Sequence, residues 1–430
     1  MISYRTACFT NLAAGETRVH LVSSALSTLG LFSNWWEAAG RPACRRFLRP
    51  GRLMVAVAFS RIELGARRAV AVVLPAVFAA CGSATGPAGD VTDIGVLLEY
   101  FDVPGAGVAV INDFELDYVE VHGVENVDTL EPVTEQTLFQ AASISKGVSA
   151  TGIMSLVQDG TISLDTEIND YLVRWKLPDN AFQATEKVTL RRLLSHTAGT
   201  TVGGFRGYRY TEPVPDLFQV LSGVAPANSP PVVVDLVPGS QFRYSGGGYL
   251  VAQLAVEDVT GTAFPAFIHN RVLQPIGMTI STYQAPIPGA LFESTASGYY
   301  ADGTAVPGGH HIYPEIAAAS LWTTPSDLAR FHIELQLSLR GESNVVLSPE
   351  NTELLLTNVK RDYALGFDLW TIHGQPYFGH YGANDGFRCV MIAHPSSGDG
   401  LVVLTNSDRV SDLYPDVIDL IGRREGWPGF

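Results

Sequence analysis

The chain of 430 residues is poor in charge: only 17% of its residues are Asp, Glu, Lys or Arg, and 28 basic side chains stand against 43 acidic ones. A net charge of −15 leaves no basic face for a phosphate backbone and argues against a nucleic-acid partner. Cysteine is scarce. The four are Cys8, Cys44, Cys81 and Cys389, with no CxxC pair and no Cys/His cluster of the kind that holds zinc. The chain contains neither an HExxH motif nor a GxSxG turn, which disfavours a zincin and an α/β-hydrolase. His310 and His311 are the one tempting metal pair, but adjacent side chains point in different directions, so no metal is expected. What the chain does have is apolar content, 46%. That is enough for a sizeable core and excludes a mainly disordered polypeptide. With 42 Gly and 25 Pro, many turns are expected.

Charge is also unevenly placed. Residues 1–81 hold ten Arg and three Glu, leaving 18 basic against 40 acidic side chains in the remainder. Within this basic leader, Arg67 and Arg68 precede a twelve-residue apolar run, Ala69 to Ala80. A membrane span needs about 20 residues, so the run fits the core of an export signal better. It ends in Phe78-Ala79-Ala80-Cys81, which resembles a bacterial lipobox, with Phe78 where leucine is usual. Counted from Met54, the segment to Cys81 is an ordinary signal length. The expectation is an extension over 1–53, a lipoprotein-type signal over 54–81 lipidated at Cys81, a tether over 82–92 and a domain over 93–430. The protein would then be exported to the cell envelope and touch a membrane only through its lipid. Cys389, in FRCVMIAHP, reads as a buried core residue.

Along the domain, strands are expected at 106–111 and 117–124, paired as a hairpin, and later at 363–370, 386–395 and 400–406. Helices are expected in the second half of 137–160, where Val148, Ile153, Met154, Leu156 and Val157 share a face, and at 189–195, 249–260, 264–273, 325–338 and 411–423. Strands at both ends and helices between them predict an α/β (α+β) fold. Its antiparallel sheet would be flanked by helices, with an all-helical subdomain inserted at roughly 140–340.

Three short segments bear chemistry. Ser143-Ile144-Ser145-Lys146 places a serine and a lysine three apart, on one helix face. A lysine kept neutral by burial could take the serine proton. The other three lysines follow Val173, Ala184 and Thr357 at that spacing, so the pattern occurs once. Tyr244-Ser245-Gly246-Gly247-Gly248-Tyr249 puts a tyrosine on a glycine-rich turn just before a helix. Gly379-His380-Tyr381-Gly382-Ala383 precedes an apolar strand and offers a polar side chain and backbone amides. His196 reads as structural; Glu315 reads equally well as pocket rim or as a cap.

In this order and spacing the three segments resemble the serine β-lactamase and penicillin-binding protein superfamily. The class C-like branch, with D,D-peptidases and family VIII carboxylesterases, is the nearest match. LRRLLSHTAGT (190–200), YPEIAAASLWTTPSDLARF (313–331) and GHYGANDGF (379–387) add to the likeness, which spans about 93–410. The resemblance implies a β-lactamase/transpeptidase-like fold with Ser143 as acylated nucleophile, Lys146 as its base and Tyr244 as proton-transfer partner. It places the oxyanion hole at the backbone N–H groups of Ser143 and Ala383, and substrate contacts at Gly246, His380, Tyr381 and Gly382. No cofactor is implied. The expected partner is a small-molecule or short-peptide substrate, with peptidoglycan fragments among the choices.

Two departures bear on the substrate. Gly246 stands where the family's Tyr-x-Asn has an amide for a substrate's acyl side chain, and His380 replaces a lysine. Both point away from an efficient β-lactamase and towards esters or uncharged amides, with carboxylate-bearing substrates gaining as pH falls to 6 and His380 takes a proton. The alternatives are a true class C-like β-lactamase and a penicillin-recognising envelope protein without turnover. Ser320, where relatives usually have glycine, has no explanation in the sequence.

Overall fold

Continuous apolar runs such as Val108-Ala109-Val110-Ile111 and Leu401-Val402-Val403-Leu404 form strands buried on both faces. The computed structural model describes residues 93–409 and 413–430. The extension at 1–53, the signal at 54–81 with Cys81, and the tether at 82–92 lie outside the described residues.

The strands β1 (Gly105–Asn112), β2 (Glu115–Asn126), β3 (Glu131–Pro132), β6 (Asp368–Ile372), β7 (Gln375–Asn384), β8 (Phe387–Ala393) and β9 (Gly400–Thr405) make one antiparallel sheet. Its order is β3-β2-β1-β9-β8-β7-β6, so the first and last segments of the domain meet at its centre, Val108 opposite Val403. Strand alternation then sorts the side chains. Val108, Val110, Val390, Ile392, Leu401 and Val403 face one core, closed by helices α1 (Ile94–Tyr100) and α8 (Leu413–Glu425). Ala109, Ile111, Met391, Val402 and Leu404 face the larger core and the helices of the 141–367 region.

That region holds α2 (Ser145–Gln158), α3 (Leu190–Leu194), α4 (Gly246–Thr260), α5 (Phe264–Ile268), α6 (Ile316–Ala319) and α7 (Pro325–Leu339). A two-stranded ribbon pairs β4 (Phe139–Gln140), just ahead of this region, with β5 (Trp322–Thr323) within it. Most expected elements form within a residue or two. Three differ. α2 has no solvent face from Ser145 through Leu156, which are all buried, because small residues let neighbouring helices close around it. The expected strand at 363–370 begins only at Asp368, since Gly366 adopts φ +87° and turns the chain first. α4 starts at Gly246, three residues before the expected 249, because the Ser245 hydroxyl caps it by accepting the Gly248 N–H. Strand β7 was not among the strands expected from apolar patterning. Among the described residues no helix is long and apolar enough to cross a membrane.

Candidate active site

From Thr137 to Leu156 every residue is buried except Ser143. It sits on a single 3₁₀ turn, Ala142–Ile144, leading into α2. Ala142 takes φ +50°, a left-handed conformation that costs an alanine roughly 1–2 kcal/mol and sharpens the turn before the serine. Ser145 holds the turn from inside: its hydroxyl donates to the Ala142 carbonyl and accepts the Leu321 N–H at 3.0 Å.

One helical turn on, Lys146 reaches back, its Nζ 3.0 Å from Ser143 Oγ. The same amine donates to the Ala318 carbonyl at 2.8 Å. Lys146 is 2% exposed and, among the described residues, meets no carboxylate in hydrogen-bond or ion-pair range, so burial brings its pKa down to about 7. The Tyr244 ring lies 4.9 Å from Nζ. Burial holds the Tyr244 phenol well above the ordinary tyrosine range, against the opposing influence of Ser143 beside it, which favours the phenolate. Around neutral pH the trio is therefore a serine hydroxyl between a half-deprotonated amine and an intact phenol.

The fourth partner arrives on β7. His380 is 3% exposed and 6.2 Å, ring to ring, from Tyr244. Its Nδ1–H donates to the Tyr381 carbonyl, which can only accept, so Nε2 is left to accept from the Tyr363 hydroxyl at 3.1 Å. Both nitrogens are engaged within the protein. Burial, with Lys146 nearby, pushes the ring's pKa down to about 3, against the opposing hydrogen bond to Tyr381. The expected gain in imidazole charge between pH 8 and 6 thus does not arise at this position.

Gly382 is a glycine for a steric reason. A Cβ there would lie 2.3 Å from the Ala141 carbonyl oxygen, so only glycine lets β7 press against the turn bearing Ser143. Beyond Gly379, which pairs with Asp368, the strand β6 has ended, and β7 has no β6 partner alongside 380–384. Ala383 lies on that stretch and Ser143 in the first turn before α2, where backbone N–H groups lack helical acceptors. Asn384 ties the two together, donating to Gln140 at 2.9 Å and to the Ala319 carbonyl at 3.2 Å.

Tyr381 leaves this cluster. Strand alternation turns its ring to the other sheet face, onto Trp370 at 4.9 Å and Tyr414 at 5.9 Å. Gly246 is present but not open, because Phe205 covers it: a Cβ on Gly246 would meet the Phe205 ring at 2.7 Å. His196 is structural; its Nδ1 accepts the Ser245 N–H at 3.1 Å and its ring packs 4.1 Å from Tyr244. Ser320 hydrogen-bonds the Tyr313 carbonyl and closes the 313–320 segment, which accounts for a hydroxyl there. Glu315 sits at the cap position of α6 without making a cap bond; both its oxygens are unpaired, and burial raises its pKa to about 8. Cys389 is fully buried, as expected, and donates to the Gln140 carbonyl at 3.2 Å. His310 bonds Tyr210 and His311 bonds the Arg206 carbonyl; no metal-ligating group of three or more exists among the described residues. Sequence reasoning missed Phe205, Tyr363 and Asp368, which carry no motif of their own.

A serine, lysine and tyrosine converging under a strand edge is the arrangement of serine acyl-transfer proteins. Residues 96–421 match the beta-lactamase family, and the chain belongs to it. Penicillin-binding protein 4 of Amycolatopsis lactamdurans is 27% identical over 349 residues, covering 75% of this chain and 86% of that protein. Protein flp of Staphylococcus aureus (strain MRSA252) is 23% identical over 333 residues; the match takes in 74% of this chain but only 62% of flp. Among solved structures, the octameric penicillin-binding protein homologue from Pyrococcus abyssi has a TM-score of 0.63 at 24% identity, covering 76% of this chain and 75% of that one. SurE has a TM-score of 0.61 at 24% identity, covering 77% and 74%. These likenesses establish a penicillin-binding-protein-like fold.

Proposed function

We propose that the protein is a serine hydrolase that cleaves an ester or amide through an acyl-enzyme. The observation that carries the reading is the 3.0 Å approach of Lys146 Nζ to Ser143 Oγ, with the amine's pKa brought down to about 7. Ser143 Oγ attacks the substrate carbonyl while its proton passes to Lys146, directly or through the Tyr244 hydroxyl. The backbone N–H groups of Ser143 and Ala383 meet the oxyanion. Collapse of the tetrahedral intermediate expels the alcohol or amine, which takes its proton from Tyr244, itself reprotonated by Lys146. Water then repeats the sequence on the acyl-enzyme and frees Ser143.

The substrate class follows from what faces the serine. His380 is neutral and has both nitrogens engaged, so it supplies no fixed cation for a substrate carboxylate, and at Gly246 there is no side-chain amide for an acylamide. Both favour esters or uncharged amides over β-lactams; short D-amino-acid peptides, including peptidoglycan fragments, come next. The test is fluorophosphonate labelling followed by a panel of p-nitrophenyl esters, nitrocefin and D-Ala-D-Ala peptides against wild type and Ser143→Ala. Labelling at Ser143 with ester turnover above nitrocefin turnover is expected. A wild type that neither labels nor turns over any substrate refutes the hydrolase and leaves a penicillin-recognising envelope protein; nitrocefin far ahead of esters makes it a β-lactamase.

The address is part of the same proposal. Arg67-Arg68, the apolar run to Ala80 and Cys81 support export and lipidation. Cys81→Ser should move the protein from the membrane fraction to the soluble one or block processing. An unmodified N-terminus upstream of Met54 on the mature protein would refute the signal.

A further inference from the structure

The place beside Gly246 that a side chain would fill is occupied from another part of the chain. A Cβ on Gly246 would stand 2.7 Å from Cε2 of Phe205 and 3.4 Å from the Gly203 carbonyl oxygen. The contact is built in. The Gly246 N–H donates to the Gly203 carbonyl at 3.1 Å and the Gly247 N–H to the Val202 carbonyl at 3.0 Å, seating residues 202–203 on the first turn of α4. Val202 takes φ +64°, a left-handed conformation that is a genuine outlier for a β-branched residue and survives only where its surroundings impose it. Gly203 and Gly204 are exposed, and then Phe205 is drawn partly inward, packed against the larger core.

The far end of the segment is pinned as firmly. The Arg206 carbonyl accepts from His311 Nδ1 at 3.1 Å, and Tyr208 and Ile312 exchange backbone hydrogen bonds of 2.8 and 2.7 Å. Residues 202–208 therefore form a strap. One end rests beside Tyr244, the other on the segment leading to Ala318, whose carbonyl holds Lys146. Phe205 sits at mid-strap against Gly246, which lies two residues along the chain from Tyr244.

We infer that Phe205 walls the acyl-side subsite and makes it a site for an apolar acyl group. A side-chain amide at position 246 would give that wall hydrogen-bonding capacity; an aromatic ring in its place gives apolar area and no donor. A polar acylamide entering this subsite would lose its water without finding a partner, whereas an alkyl or aryl chain gains contact. The inference rests on the serine-hydrolase reading and names the substrate's acyl chemistry within it.

The experiment has a kinetic and a binding arm. In the first, kcat/KM is measured for p-nitrophenyl acetate, butyrate and octanoate with wild type, Phe205→Leu, Phe205→Ala and the double variant Phe205→Ala/Gly246→Asn. Wild type should prefer the longer chains. Phe205→Ala should lower kcat/KM for octanoate by about 10- to 100-fold while changing acetate less than about threefold, and Phe205→Leu should fall between them. The double variant, with room for an amide, should gain on an acetamido-substituted ester relative to Phe205→Ala. In the second arm, octanamide is titrated calorimetrically into Ser143→Ala with and without Phe205→Ala, and the second change should weaken binding about tenfold or more. A chain-length preference that survives Phe205→Ala, or octanamide binding indifferent to it, overturns the inference. A wild type without turnover and without fluorophosphonate labelling sinks the hydrolase reading instead, and the octanamide titration still decides the subsite.

Discussion

Two serines two positions apart have opposite duties. Ser143 is the one partly exposed side chain in a buried stretch; Ser145 is fully buried and satisfies both the Ala142 carbonyl and the Leu321 N–H. Ser143→Ala should lower turnover of any accepted substrate by about 10³- to 10⁶-fold with only a small change in melting temperature, since covalent catalysis goes while the buried Lys146 amine keeps its bond to the Ala318 carbonyl. Ser145→Ala should instead cost about 1–3 kcal/mol of stability by orphaning the Leu321 N–H, with a much smaller loss of turnover below its melting point. Equal kinetic losses at both would show the nucleophile misassigned. Lys146 gives a pH test at the same scale. With its pKa lowered to about 7 by burial, the amine is protonated below that pH and free above it, so kcat/KM should rise through pH 7 to an alkaline plateau. His380 stays neutral throughout that range, and Tyr244 keeps its proton. Asp368 and Glu315 are the competing titrators, their carboxyls raised by burial to about 6 and about 8. The limb belongs to Lys146 if Asp368→Asn and Glu315→Gln each leave it in place; loss of the limb in either variant would transfer it to that carboxylate.

At the scale of elements, the site depends on how closely β7 can approach the Ser143 turn. Gly382→Ala would place a methyl group 2.3 Å from the Ala141 carbonyl, well inside contact distance, and something must shift. The shift falls on the turn that aims Ser143 and its N–H, so kcat should drop by about 100-fold or more for a displacement on the order of 1 Å. Wild-type kcat in a folded Gly382→Ala protein would show that the strand does not set the nucleophile's position. β7 also marks where the sequence ceased to be readable. Strands β1, β8 and β9 announce themselves as apolar runs because both their faces are buried. β7 alternates buried His380 and Gly382 with exposed Tyr381 and Ala383, and looks like a loop. Likewise Ser143, Lys146, Tyr244 and His380 were legible because their motifs are local. Phe205 was not, since its role is defined by Gly246, forty-one positions on and joined to it only by folding. His380 was legible as a residue and misread as a charge, because its neutrality comes from burial and from Lys146 nearby, neither of which its own segment displays.

At the scale of the molecule, one sheet separates two cores with different work. The larger carries α2 and the Ser143 turn, with Phe205 packed against it. The smaller lies on the opposite face, under α1 and α8, the first and last helices of the domain, and no side chain of the Ser143–Lys146–Tyr244–His380 group enters it. Damage there should therefore reach stability without reaching chemistry. Ile421 on α8 is fully buried in this second core. Ile421→Ala removes three carbons from a close-packed site and should cost about 2–5 kcal/mol, seen as a melting temperature lower by several degrees. At 25 °C the remaining folded enzyme should keep kcat and KM within about twofold, because the central strands β1, β9 and β8, hydrogen-bonded across their whole length, stand between the cavity and Ser143. Paired thermal melts and ester kinetics on the same preparation decide the matter. A melting temperature that holds while kcat falls would mean that the sheet transmits packing changes from one face to the other, and that the two cores act as one.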